Sequence, residues 1–202
     1  MSGPAPPGSA QLPPALGILR AMALCARGRP EGIALFGDTT ASFLASLAPL
    51  IAFPLVATLT SLSSRGGSSE VLAEIVVFLQ ALDALLALPV ISHALARFWG
   101  REETWLRYAT AANWCHWLLE AAFMLAIFAA AFSVAFGLPG NALLGPFLLA
   151  AAVYSLWLQF FLARRGLGLR RGQAWILVIA GNLVAGILIA GPALVRGQQA
   201  MA

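Results

Sequence analysis

Among the polar side chains inside long apolar stretches of this sequence, a set that could carry a proton or hold a cation is Asp83, Asn113, His116, Glu120 and Asn182. Asn113, His116 and Glu120 are spaced by three and then four residues, which sets all three on one face of a helix. Asp83 lies in the apolar stretch before them, and Asn182 near the middle of the last one. An isolated carboxylate in hydrocarbon is costly, so such acids are expected to be protonated, paired with an imidazolium or wet. Gathered together, these groups have the chemistry to bind a cation or relay a proton. They also suit a plainer task, an interhelical hydrogen-bond set contributing on the order of 1 kcal/mol per bond.

The elements that must position them follow from composition. Of 202 residues, 60% are hydrophobic and 10% charged, and the mean hydropathy is +0.86. No water-facing globule is built from that mixture. Apolar runs of spanning length occur at about 40–62, 70–96, 108–136, 143–162 and 173–195. The expected fold is therefore an all-α, polytopic transmembrane bundle of five helices over 37–196. An amphipathic, interfacial segment precedes it at 15–36, after a Pro-rich disordered tail at 1–14. The tail lacks the basic start and apolar run of a secretory signal. Pro49 and Pro54 predict a kinked or locally opened first span. Gly137, Pro139, Gly140, Asn141 and Pro146 predict an uncharged turn between the third and fourth.

All basic residues are arginine, and ten of the twelve fall before the first span, between the second and third, or between the fourth and fifth. The positive-inside rule makes that side cytoplasmic, with the N-terminus in and the C-terminus out. The six tryptophans lie in or near the same half. Counted from the Arg-bearing ends, Asp83 and Glu120 each lie twelve residues inward, ~18 Å deep at 1.5 Å per residue. Consecutive antiparallel helices usually neighbour each other, which allows contact between the two carboxyls without establishing it. Glu70, Glu74 and His93 read as end-of-helix residues that complement the helix dipole.

Other chemistry finds little support. Cys25 and Cys115 have no metal-ligand spacing and no evident way to meet, so they read as apolar fillers. No HExxH or GxSxG motif occurs, which argues against a metal site and a hydrolase. No enzyme, cofactor or nucleic-acid partner is expected; the formal charge of +4 reports loop topology. Arg164, Arg165, Arg170 and Arg171 flank a glycine-containing centre and suit contact with anionic lipid headgroups. Small residues at Gly181 and Ala185, and at Gly186 and Ala190, allow close helix approach within the bundle or to a second copy.

The five spans, the segment Tyr108-Ala109-Thr110-Ala111-Ala112-Asn113-Trp114, and Tyr154-Ser155-Leu156-Trp157-Leu158-Gln159 leading through Arg164-Arg165-Gly166-Leu167 resemble the bacterial branch of the Yip family of membrane proteins over about residues 40–195. The resemblance implies a five-helix scaffold that organises membrane or partner proteins. The acidic Tyr-Gly-Pro motif of the relatives that bind Rab-type GTPases is missing here. Two functions are therefore carried forward: a non-enzymatic scaffold, and a small proton- or cation-linked transporter using the buried Asp/His/Glu cluster. A cavity lined by Asp83, His116 and Glu120 would favour the second.

Overall fold

In a computed structural model, residues 14–64, 68–137 and 140–199 are described. The tail expected at 1–14 lies outside them except for Pro14, as do Arg65 and the side chains of Glu70 and Arg196. Seven helices follow in order: α1 Pro14–Ala26, α2 Glu31–Ala34, α3 Thr40–Ser64, α4 Ser68–Phe98, α5 Glu102–Ala135, α6 Gly140–Gly166 and α7 Arg171–Gln199. The last five are long and apolar enough to cross a bilayer, the architecture of a multi-pass membrane protein. No strand occurs among the described residues.

The long helices pack in the closed order α3, α4, α7, α6, α5 and back to α3, and α4 also meets α5. Helices α5 and α7 do not touch among the described residues, so the ring keeps an internal space between them. Close packing is concentrated toward the Arg-rich ends, where Ala96, Tyr108, Ala109, Ala111, Leu162, Ala163, Ala174 and Leu177 are buried. Small side chains at these levels let the backbones approach. Gly166 faces Tyr108 across the α5/α6 contact, where an added Cβ would come within 3.1 Å of the ring.

Several elements differ from the expected outline. Helix α3 stays helical through Pro49 and Pro54, so of the two forms expected there, a kink or a local opening, the opening does not occur. Helix α6 starts at Gly140 and takes in Asn141 and Pro146, so the turn before it is shorter than the sequence suggested. Helix α5 is 34 residues long, roughly 51 Å, and so outruns a hydrocarbon core of about 30 Å. Its surplus lies at the Arg-rich end, beginning at Glu102 and Glu103, where negative charge suits a helix N-terminus.

The segment 15–36 also does more than lie in an interface. Helix α1 ends in a Schellman motif: Arg29 N–H bonds the Leu24 carbonyl at 2.9 Å, Gly28 N–H bonds that of Cys25 at 2.9 Å, and Gly28 takes φ +70°. The chain then folds back so that α1 and α2 pack on each other and on α5 and α6, burying Ala21, Cys25, Ile33 and Phe36. The Tyr154 hydroxyl donates to the Ala26 carbonyl at 3.0 Å. Cys25 and Cys115, for which the sequence offers no evident way to meet, are buried free thiols that lie beside each other. The fold-back joins them, and residue spacing carries no sign of it.

Candidate functional site

Between α4, α5 and α7 lies a half-open cavity of about 550 Å³. Its wall is built from Val77, Gln80, Ala81, Ala84, Leu85, Leu88 and Pro89 of α4, Ala112, Asn113, His116 and Glu120 of α5, and Gly181, Asn182, Ala185 and Ile189 of α7. Leu50 of α3 and Gln159 of α6 complete it. On α4 the wall residues recur at three and four residues, so one helical face looks inward. The wall is mostly apolar with a few convergent polar groups, the usual composition of a small-ligand site. Toward the Arg-rich ends it meets the packed layer of Ser92, Leu177 and Val178, all buried.

The polar groups are arranged in three sets. His116 Nε2 and Glu120 Oε1 lie 3.2 Å apart, one helical turn from each other, with side chains 48% and 52% exposed. Both residues are on the wall of the cavity, and their half-exposed side chains keep hydrogen-bonding capacity beyond the contact with each other. Across from them, Asn182 Nδ2 donates to Gln159 Oε1 at 2.7 Å and to the Val178 carbonyl at 2.8 Å, fastening α7 to α6. Below, Asn113 is buried and donates to Ser46 Oγ at 2.9 Å, while Ser46 donates to the Phe43 carbonyl at 2.6 Å. Ser46→Ala should leave the Asn113 amide without its partner on α3. A loss of about 1 kcal/mol is expected, read as a lower midpoint for thermal unfolding in detergent.

The α5 face expected from the sequence is therefore present, and Asn182 joins it across the cavity. Asp83 does not. It is exposed at the midpoint of the 31-residue α4, on the side opposite the cavity wall, and no hydrogen bond or ion pair engages it among the described residues. Matching depth put it level with Glu120, but rotation about the helix axis turns it away from the bundle. A charged carboxylate left facing lipid at a helix centre costs about 3 kcal/mol on insertion scales.

Pro89 is a wall residue that the sequence reading passed over. Lacking an N–H, it leaves the Leu85 carbonyl without its helical donor, and both residues line the cavity. A proline inside a span, one turn from small residues, was the available signal. Glu74, expected to serve its helix terminus, instead accepts from Ser61 Oγ at 2.8 Å and so ties α4 to α3. His93 is exposed near the Arg-rich end as expected, with its ring edge on Trp105, centroids 4.6 Å apart. Arg165, Arg170 and Arg171 are exposed and Arg164 is half-buried. The centre between the two arginine pairs is anchored, because Leu167 and Leu169 are buried. Among the described residues no group of three or more His, Cys, Asp or Glu is placed to hold a metal ion.

No protein-family model matches this chain, and neither the curated proteins nor the solved structures yield a match, so these comparisons do not bear on the Yip-like resemblance.

Proposed function

We propose that this chain is a small, non-enzymatic permeation protein of a bacterial cytoplasmic membrane, with its Arg-rich end in the cytoplasm, that takes a proton or small cation into the cavity between α4, α5 and α7. The observation that carries the reading is the cavity itself, about 550 Å³ at mid-helix level, with the His116–Glu120 pair on its wall. Ionisable groups inside spanning segments that face a cavity mark ion or proton paths more often than they mark packing. The Leu85 carbonyl freed by Pro89 adds an uncharged acceptor on the same wall, of the kind that irregular backbone supplies where a membrane helix lines a cavity.

The pair can work in either of two ways. A proton entering the cavity is held between imidazole and carboxyl and passed on. Alternatively, a cation displaces that proton and sits against the Glu120 carboxylate, with the Asn182 and Gln159 amides opposite. Proteoliposomes holding the protein should therefore show proton or monovalent-cation flux above protein-free vesicles. Asn182→Leu removes one polar contact and should lower that flux roughly fivefold, the equivalent of one neutral hydrogen bond of about 1 kcal/mol. No flux from the unaltered protein, under gradients of either direction, would defeat the reading.

The scaffold reading draws on a different observation, the carboxyl of Asp83 on the outer face of α4, which has no partner among the described residues.

A further inference from the structure

The outer face of α4 carries an unbroken seam. Leu72, Val76, Leu79, Asp83, Leu86 and Val90 follow one another at spacings of four, three, four, three and four residues, and every one of them is exposed. That is the a/d pattern of a helix that packs along its whole length against another helix. Within the ring α4 already meets α3, α5 and α7, and it does so through its other faces. The seam is therefore left over after the monomer has finished packing. One polar residue, Asp83, interrupts it at the midpoint of the helix, where it would otherwise face lipid alone.

From these features we infer that α4 is the interface of a parallel, two-fold symmetric dimer in which Asp83 of one copy meets the same residue of a second copy. Three arguments select a second copy over another occupant. Copies of one chain insert with one orientation, so a two-fold axis along the membrane normal brings equal positions to equal depth. A carboxyl in hydrocarbon is least costly as the neutral acid, and the neutral acid is at once donor and acceptor. It is therefore complementary to itself, and two such groups satisfy each other across the axis without a cation. The apolar members of the seam are self-complementary in the same sense, since a 3-4 repeat of Leu and Val packs knobs into the holes of an identical helix. Apolar contact alone gives helices little reason to leave lipid for each other. The carboxyl pair supplies the preference and fixes the register, as a single polar residue does in a coiled coil.

This inference is independent of the cavity and of what passes through it. It is tested by Förster transfer between labelled full-length chains in bilayers over a range of protein-to-lipid ratios. The unaltered chain should self-associate. Asp83→Leu should raise the dissociation constant about tenfold, while Asp83→Asn, whose amide is also donor and acceptor, should largely retain it. Leu79→Cys and Leu86→Cys should form intermolecular disulfides on mild oxidation in membranes. Ile187→Cys, on the exposed face of α7, should not. Since Asp83→Leu removes a polar group from a lipid-facing position, circular dichroism should show it folded. A monomer at all ratios, a dimer indifferent to Asp83→Leu, or an Asp83-dependent association with a different membrane protein in place of self-association would each overturn the proposal.

Discussion

Glu120→Gln should weaken cation or proton handling by roughly ten- to a hundredfold, the equivalent of one hydrogen bond to a charged group at about 1.5–3 kcal/mol. Glu120 is the only acid on the cavity wall among the described residues, and His116 the only other ionisable side chain there. Glutamine has the same length and branching, so the cavity keeps its shape and the contact with His116 Nε2 at 3.2 Å keeps an acceptor oxygen. What goes is the negative charge and the site that can take and release a proton. The effect should appear in the concentration dependence of flux as well as in its ceiling, because a lost cation contact raises the concentration needed for half-saturation. Unfolding in detergent should barely change, since the Glu120 side chain is half exposed and buries no core. A variant with the flux and concentration dependence of the unaltered protein would remove the pair from the mechanism.

How far the site was legible in the sequence depends on which coordinate is considered. Height along a helix follows from counting, and the five spans, the common face of Asn113, His116 and Glu120, and the level of Asn182 were all accessible in that way. Rotation about the axis is harder, and there Asp83 was misplaced. A signal existed: the small or polar residues of α4 at this level, Gln80, Ala81 and Ala84, fall on the cavity side beside Val77, Leu85 and Leu88, whereas the other side carries only the large, exposed Leu79, Leu86 and Val90 around Asp83. In a membrane the bulky residues face lipid and the small ones face helices, the reverse of the usual soluble pattern. Read that way, Asp83 groups with Leu79 and Leu86. The contact of Cys25 with Cys115 had no such signal, because it depends on how α1 and α2 return onto α5, a tertiary event with no local period.

That return depends on one residue, and changing it should have the second large effect. Gly32 is buried where α2 crosses α1, and a Cβ built there would lie 2.7 Å from the Ala21 carbonyl oxygen, 2.8 Å from Leu24 Cβ and 2.9 Å from the Cys25 nitrogen. Two of those three neighbours are backbone, so no rotamer change relieves the overlap and the two helices must separate. Overpacking of this kind costs about 1–3 kcal/mol. The cost falls on the α1–α2 hairpin, which is held by its own contacts, its packing on α5 and α6, the Tyr154 bond to Ala26 and the Arg107–Asp38 ion pair, itself half exposed and so worth little. Gly32→Ala should therefore open the hairpin locally while the five long helices stay assembled. Cys25 and Cys115, both buried in the intact protein, report that opening directly. Labelling by a membrane-permeant maleimide should accelerate roughly ten- to a hundredfold, following the shift in the local opening equilibrium. Gly28→Ala offers a milder comparison: holding an L-residue at φ +70° costs about 1 kcal/mol, and its Cβ would lie 3.1 Å from the Trp157 ring, a side chain that can shift. Unchanged thiol reactivity in Gly32→Ala would mean that the hairpin shifts as a body and that α1 contributes little to holding α5. Faster labelling together with reduced flux would show that the hairpin braces α5 at Cys115, one residue before His116, and so helps to set the face on which the ionisable pair stands.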